Sequence, residues 1–435
     1  MTDPVAWDGR LRRFIVSGHA EVVAVLQDPA TFSSAVAPAV PAADRARLAD
    51  FGAWSARWLF FLDPPEHTAR RAPLARALAP HAIAPLAGPI TELARDLAAR
   101  LPGAGSDALA DSAHPPPGTG SDALADSAHP PPGAGSDALA DSAHPPPGAG
   151  SDALTDSAHP LPGAGFDALA DFAHPLAARV IAGLLCAPGP PTEAFLARAR
   201  ILEHADAYAR DADARRAGLD AIASITPGSF SDDAPIPSAL RAAWGAADGH
   251  VPAHSVMLLF AGVETTQNLI VNTLHALLSR GLWPAPAAGA VEEGARFAPP
   301  VLGVLRRATR DAELAGRAIP AGAELVAMTA AANRDPARFA DPDRFDVYRR
   351  PNPHLSFGLG RHYCPGAELS RLTARAALTA LLGAFPRLEL AEPDPPWRDH
   401  DPIIRAPKRL LSRRPSGTPG SSRPTGPRPS GGTTP

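Results

Sequence analysis

The sequence PHLSFGLGRHYCPGAELSRLTARAALTALLGAF, from Pro353 to Phe385, carries most of the information about the fold. A glycine-rich turn presents one cysteine, Cys364, and an amphipathic helical pattern follows it directly. The glycines of this turn, Gly358, Gly360 and Gly366, allow close backbone approach and positive φ values. A cysteine just before a helix faces unpaired N–H groups and the positive end of the helix dipole, which favours its thiolate. This stretch therefore predicts a rigid turn that holds a thiolate.

Cys364 has two interpretations. A lone cysteine is more often a buried structural residue than a ligand, because cysteine behaves as a small hydrophobe. One thiolate on a rigid turn also suits axial ligation of a haem iron. The surrounding glycines and His362 favour the second interpretation.

The segment FGLGRHYCPG, from Phe357 to Gly366, resembles the haem-binding signature of the cytochromes P-450, the haem-thiolate monooxygenases. Its aromatic residue, glycines, basic residue and cysteine stand at the spacing of that signature. The resemblance implies a mainly α fold with small β-sheets, organised as a single large domain. It also implies haem b (iron protoporphyrin IX) with Cys364 as the axial ligand of the iron, and with Phe357, Gly360 and Gly366 against the cofactor.

A second segment, LLFAGVETTQNLI from Leu258 to Ile270, resembles the oxygen-activating helix of the same family. Taken alone, its polar residues are an ordinary polar patch on a helix. The resemblance implies that Thr265, together with Glu264, steers protons to dioxygen, and that Ala261 lies beside the haem. The possible substrate contacts on the same helix are Met257, Phe260 and Val263.

A pair of charged residues at helical spacing also fits the resemblance. Glu293 and Arg296 are three residues apart and share one helix face, where a charge-assisted hydrogen bond can form. Taken alone, such a pair is common on protein surfaces. Arg344, in DPDRFDV, matches the third member of the family's buried triad, whose role is structural.

Four further residues match the groups that bind the haem propionates in this family. His67 and Arg71 lie four residues apart in DPPEHTARR, and Arg306 and His362 match two further partners. Cationic and donor side chains suit two carboxylates at the edge of a cofactor. Taken alone, each is more simply explained as a solvated surface residue.

A tandem repeat interrupts the chain. The sequence PGAGSDALADSAHPP begins at Pro102 and recurs every 15 residues with small changes, in five copies. Its prolines and glycines exclude a long helix, and only the fifth copy carries Phe166 and Phe172 and continues into an apolar helical pattern. We predict one domain from residues 1–101 and 162–414, a disordered insertion at 102–161 and a disordered Pro/Gly/Ser-rich tail at 415–435. The repeated histidines have no metal-ligand spacing and are expected to be solvated: His114, His129, His144, His159 and His174.

The composition excludes several classes of protein. A net charge of −4 gives no electrostatic basis for nucleic-acid binding. The 2 cysteines are too few for a disulfide framework or for a multi-cysteine zinc or iron–sulfur site. The N-terminal sequence lacks the apolar segment of a signal peptide, and no uninterrupted apolar run is long enough to span a membrane. We therefore expect a cytoplasmic protein without a membrane span.

The implied activity is the insertion of one oxygen atom from dioxygen into a small apolar organic substrate, by hydroxylation or epoxidation, in specialised metabolism or catabolism. Its electrons are expected from NAD(P)H through a ferredoxin reductase and a ferredoxin. Two alternatives remain open: a catalytically silent haem-binding module that recruits partners, and the same fold performing oxidative coupling or peroxide-driven chemistry. The arginines near Cys364 are either a docking face for an acidic redox partner or ordinary solvated side chains: Arg349, Arg350, Arg361 and Arg371.

Overall fold

The computed structural model describes residues 3–36, 53–105, 165–186, 230–245, 248–398 and 403–415. Within the chain, Met1–Gly105 and Gly163–Pro435 cluster into one compact unit. Nearly all of the predicted insertion, the four histidines of its upstream copies and the predicted tail beyond residue 415 lie outside the described residues.

The described part of the chain is mainly helical, with short strands, as the sequence predicted. The helices are α1 (His19–Gln27), α2 (Glu66–Ala77), α3 (Pro80–Ile83), α4 (Ala87–Ala99), α5 (His174–Leu185), α6 (Pro235–Trp244), α7 (His250–Leu278), α8 (Ala287–Phe297), α9 (Thr329–Ala332) and α10 (Ala367–Ala384). The strands are β1 (Val5–Asp8), β2 (Arg13–Val16), β3 (Phe32–Ser33), β4 (Gly165–Asp167), β5 (Val304–Ala308), β6 (Ala312–Leu314), β7 (Arg317–Ile319), β8 (Glu324–Ala327), β9 (Glu389–Leu390) and β10 (Leu411–Arg413).

Helix α7 is the centre of the helical core. It is apolar on nearly every side, and a helix with that pattern is stable only when neighbours surround it. It packs against α5, α8 and α10, and α10 also packs against α4. With 29 residues, α7 is about 44 Å long at the usual helical rise per residue. It therefore carries residues from one edge of the core to the other and passes the site described below.

The strands form three small sheets. The five-stranded sheet has the order β1-β2-β8-β5-β3, in which β2 and β8 are parallel and the other pairs are antiparallel. The other two sheets have the order β4-β10-β9 and β6-β7. The inner strand β8 is almost wholly apolar, and its Leu325 pairs with Arg306 of β5. Strand β5 thereby brings Arg306 to the site.

The fifth repeat copy is anchored in the core. Phe166 and Phe172 are buried, and Phe166 packs against Phe385 at the end of α10 with ring centroids 5.0 Å apart. A π-helical turn, Ala168–Ala173, leads directly into α5. The expectation of a solvated histidine is wrong for His174, because this anchoring carries it inside. His174 is buried, and its Nδ1 lies 3.0 Å from Oε1 of Gln267 on α7.

One described stretch, Ala168–Leu185, has the length and composition of a membrane-crossing helix. However, 67% of it is buried inside the fold. Packing in the protein core accounts for the apolar composition of a helix that is buried among other helices. This stretch is therefore weak evidence for a membrane span.

The two ends of the insertion meet at the end of β10. The Gly105 N–H and the Arg414 guanidinium both donate to the carbonyl of Ala384, at 3.3 and 3.1 Å. On the other side, Gly165 pairs with Arg413 in β10. The chain therefore leaves and re-enters the fold beside two consecutive residues, Arg413 and Arg414.

We predict that deleting residues 102–161 leaves the haem content and the thermal midpoint nearly unchanged. The deletion joins Leu101 to Pro162 and keeps the sequence Leu-Pro-Gly-Ala-Gly across the junction. Because the two ends contact the consecutive residues Arg413 and Arg414, the joined chain has only a short distance to span. The entropic cost of closing a surface loop also changes only slightly with the length of the loop. Haem absorbance and a melting curve measure the result.

A matched control converts the fifth copy into the upstream type. The double change Phe166→Ser and Phe172→Ser is expected to lower the midpoint strongly, since truncating one buried aromatic side chain costs about 3–5 kcal/mol. If instead the deletion lowers the midpoint as much as the double change, the upstream copies pack onto the domain.

Candidate active site

A tight loop presents Cys364 at the start of α10. The Cys364 N–H donates to the Phe357 carbonyl at 2.8 Å, which closes the loop. Gly358 and Gly360 have φ values of 73° and 68°, which side chains with a Cβ rarely adopt. A Cβ at Gly360 would also lie 3.3 Å from the carbonyl oxygen of Leu26. The predicted turn is therefore rigid for two separate reasons, its backbone conformation and its packing on α1.

The surroundings of Cys364 act on its thiol in opposite directions. Burial raises the pKa of Cys364, whereas the Gly366 N–H and the guanidinium groups of Arg71 and Arg371 lower it. The net pKa lies above its ordinary value. The helix start and the two arginines thus favour the thiolate but do not outweigh burial.

A network of ion pairs between α8 and α10, which the sequence did not reveal, supports the cysteine loop. The guanidinium of Arg371, one turn into α10, donates to Glu292 at 2.8 Å and to the Tyr363 hydroxyl at 3.1 Å. It also lies 4.3 Å from the ring centroid of Phe357. Burial opposes ionisation of Glu292, but hydrogen bonds from His354 and Arg371 prevail and lower its pKa to about 2. Arg371 is therefore a support of the cysteine loop.

Four basic side chains from three different segments, α2, β5 and the cysteine loop, converge beside Cys364. His67 and Arg71 of α2 lie on one helix face, and the rings of His67 and His362 are 4.1 Å apart. Arg71 donates to the Tyr363 carbonyl at 2.6 Å, and Nε2 of His362 lies 3.1 Å from the Ser34 hydroxyl. Each residue was predicted from the sequence, and the structure brings them together.

The burial and close spacing of these basic groups lower their pKa values. Burial, with the charge of Arg71, lowers the pKa of His67 to about 4. Burial and the neighbouring His67 lower the pKa of His362 to about 3. Arg306 is also buried, which lowers its pKa to about 10 against the opposing charge of Asp63. Protonation of either histidine is unfavourable until negative charge enters the cluster.

Helix α7 contributes the polar pair predicted for proton handling. The Thr265 hydroxyl donates to the Ala261 carbonyl at 2.5 Å, and Glu264 accepts a hydrogen bond from Arg398 at 3.0 Å. Thr265 and Glu264 are therefore neighbours on one side of the helix with different partners.

The possible substrate contacts differ in their exposure. Met257 and Val263 are buried, each about 2% exposed, whereas Phe260 is half-buried. The ring of Phe260 lies 5.4 Å from that of Trp58 at a tilted angle. Among these three residues, Phe260 has the most accessible surface on which an apolar molecule could rest.

The buried structural triad contains Arg349 where the sequence predicted Arg344. Glu293 and Arg296 form a bidentate pair at 2.7 and 2.9 Å, and both are buried. The third guanidinium is that of Arg349, whose Nε lies 3.2 Å from Glu293. The side chain of Arg344 is exposed, and this residue contributes only its carbonyl, which accepts from both Arg296 and Arg349. The prediction of Arg344 as a triad side chain was wrong.

Known proteins resemble the chain in both sequence and structure. The family model for cytochrome P450 matches residues 288–412, which include the Cys364 loop and the Glu293–Arg296 pair. The crystal structure of the cytochrome P450 enzyme CYP109B1 from Bacillus subtilis matches with a TM-score of 0.68 and 25% identity, over 95% of this chain and 96% of that one. Residues 288–412 therefore match the cytochrome P450 family in sequence, and 95% of the chain matches a cytochrome P450 in fold.

Two curated P450 relatives match part of the chain. The biotin biosynthesis cytochrome P450 of Bacillus subtilis is 41% identical over 150 residues, which are 33% of this chain and 38% of that protein. The cytochrome P450 monooxygenase PikC of Streptomyces venezuelae is 42% identical over 167 residues, which are 36% of this chain and 40% of that protein. The matched sequence thus spans less than half the length of either relative.

The residues of this site fit a haem. Both ring nitrogens of His67 are buried without a hydrogen-bond partner among the described residues. The buried Arg306 guanidinium has its one described hydrogen bond to the adjacent Leu305 carbonyl. Two propionate carboxylates would supply acceptors and negative charge for this cluster. An iron ion at Cys364 would likewise supply a positive charge that stabilises its thiolate.

Proposed function

We propose that the protein is a haem-thiolate monooxygenase. The observation that carries this proposal is the convergence of Cys364 with the basic cluster of His67, Arg71, Arg306 and His362. Each of the two groups of residues matches one end of the same cofactor, the iron and the propionates. The name of PikC, a P450 monooxygenase, supports the same reaction class.

A bound haem would supply the activation of dioxygen with two electrons, so that one oxygen atom is inserted into substrate and the other leaves as water. Cys364 would be the residue that holds the iron, and its thiolate would supply electron density to it. The loop hydrogen bond to Phe357 and the network around Arg371 fix the direction of its sulfur. His67, Arg71, Arg306 and His362 orient the cofactor through its propionates.

Thr265 and Glu264 handle protons in this proposal. The Thr265 hydroxyl directs its hydrogen at the Ala261 carbonyl, so its remaining lone pairs can accept a hydrogen bond from water. Glu264, on the same turn, is held by the nearly buried Arg398. A proton can then move from Glu264 or solvent to Thr265 through ordered water, which is a positioned general-acid role.

Electrons are proposed to arrive from NAD(P)H through a ferredoxin reductase and a ferredoxin, in the cytoplasm. Of the four arginines near Cys364, two are paired with glutamates, so the surface that could bind an acidic partner is smaller than their number suggests. Arg349 and Arg371 are bound to Glu293 and Glu292, whereas Arg350 and Arg361 are exposed. We therefore assign attraction of an acidic partner to Arg350 and Arg361.

The substrate is proposed to be a small apolar organic molecule that rests on Phe260.

The proposed function is tested with haem-loaded protein, NADPH and surrogate ferredoxin and reductase. Compounds that change the haem spectrum in a ligand screen are supplied as substrates under labelled dioxygen. The expected product carries one labelled oxygen atom, with NADPH consumed in proportion. Haem binding with no labelled product from any spectral hit would support the catalytically silent alternative.

Replacing Thr265 by alanine is expected to preserve the fold and the haem but to lower product formation about 10²-fold, the usual scale of a proton-transfer group. Reducing equivalents should appear as hydrogen peroxide, because the hydroxyl that directs the proton is lost. Product and peroxide per NADPH are the quantities to measure.

Thr266→Ala is the matched control for this prediction. It removes the neighbouring hydroxyl, which lies 3.0 Å from the Ser370 hydroxyl and on another side of α7. The control is expected to keep NADPH use coupled to product. Equal coupling in both variants would remove Thr265 from the mechanism.

A further inference from the structure

Asn268 is a buried amide on α7 whose polar atoms have no explanation in the fold. The residue is 0% exposed, and neither Oδ1 nor Nδ2 has a hydrogen-bond partner among the described residues. One turn further along, the Asn272 amide instead donates to the carbonyls of Ala298 and Arg405. Buried amides in native proteins are nearly always hydrogen-bonded, and ordered water serves where protein groups do not.

The position of Asn268 connects it to the residues proposed for proton delivery. It follows Thr265 by three residues and Glu264 by four, so the three share one helix face. Helical side chains lean toward the N-terminus, and the Asn268 amide therefore covers the turn that carries Glu264 and Thr265. The Thr265 hydroxyl already donates its hydrogen to the Ala261 carbonyl. Its remaining lone pairs can therefore accept a hydrogen bond from a donor beside this turn.

We propose that Asn268 holds an ordered water molecule against Thr265 and Glu264 and is a positioning residue for proton delivery. This proposal rests on the proposed monooxygenase function. A side-chain amide has two donor hydrogens and one acceptor oxygen, and it does not titrate. It can therefore orient the water without competing for the proton. The water gives one hydrogen to Thr265 and takes one from the Glu264 side, so it is unchanged after each transfer.

A competing explanation is that the core merely tolerates an unpaired amide. The two explanations predict opposite changes in stability when the amide is replaced by an apolar side chain of similar size. Removal of an unsatisfied buried polar group stabilises a protein, whereas removal of a satisfied one destabilises it.

The test uses the full-length, haem-loaded protein and the variant Asn268→Leu. The thermal midpoint is expected to fall by about 2 °C or more, and a crystal structure of the unaltered protein is expected to show water on the Asn268 amide. Thr273→Val is the control, because its buried hydroxyl donates to the Leu269 carbonyl of its own helix at 2.7 Å and points to another face. The control should lower the midpoint slightly, and it thereby gives the direction expected for loss of a satisfied buried group.

The link to Thr265 is measured with carbon monoxide as the probe. The C–O stretching frequency of the reduced, carbon monoxide-bound protein responds to polar groups on the α7 side. Asn268→Leu and Thr265→Ala are each expected to shift this band, and the double variant is expected to shift it by less than the sum, because both changes disturb one water.

Three outcomes would overturn the proposal even in an active enzyme: a raised midpoint, no water on the amide, or additive band shifts. Absence of coupled turnover in the unaltered protein is a different failure. It would contradict the proposed function and, with it, the role of Asn268 in proton delivery, while the water site is decided by the midpoint and the crystal structure.

Discussion

Cys364→Ser is expected to abolish the thiolate-type carbon monoxide spectrum and to lower the haem content of the purified protein. A serine hydroxyl in this position stays protonated and does not provide the anionic sulfur that the iron needs. The loop itself should persist, because its closing hydrogen bond uses the backbone N–H of residue 364 and the Phe357 carbonyl. The spectrum of the reduced, carbon monoxide-bound protein and the haem-to-protein ratio measure the effect.

Cys186→Ser is the control for this change, since it makes the same substitution at the other cysteine. Cys186 follows α5, and burial alone raises its pKa. Among the described residues, no arginine or helix start that favours a thiolate acts on it. The control is expected to keep the full spectrum. If Cys186→Ser loses the spectrum and Cys364→Ser retains it, the assignment of the ligand is wrong.

The cysteine loop was predictable from the sequence because its requirements are local. Gly358 and Gly360 are needed for their own φ values, and the helix that follows Cys364 begins within a few residues of it. A contiguous pattern of this kind records the geometry directly. The basic cluster was predictable only through the family resemblance, because α2, β5 and the loop are far apart in sequence.

The charged network behind the loop could not be predicted, because charged residues choose partners by distance in space. Arg371 pairs with Glu292 across the interface of α8 and α10, and no spacing in the sequence indicates that contact. The same limit explains the error over Arg344. Several arginines follow one another between residues 344 and 350, and only the course of the loop decides that Arg349 reaches Glu293.

Glu293→Gln is expected to cause the largest loss of stability among the single substitutions considered. Glu293 and Arg296 are both buried, at 1% and 0% side-chain exposure, and their charges compensate each other. The glutamine would leave the Arg296 guanidinium, and the nearly buried Arg349, without a counter-charge. Breaking one partner of a buried ion pair costs about 3–5 kcal/mol. A midpoint lower by roughly 5–10 °C and a loss of bound haem should follow.

Glu368→Gln provides a matched control, because Glu368 and Arg371 form a second pair with the same spacing of three residues. Glu368 is 45% exposed on its side chain, and exposed pairs contribute about 0–1 kcal/mol. Arg371 also keeps Glu292 as its main partner, so the control should melt close to the unaltered protein. The comparison isolates burial, since the chemical change and the helical spacing are the same. Equal midpoints for the two variants would show that solvent reaches the Glu293–Arg296 pair. The ion pair would then contribute little to the stability of the domain.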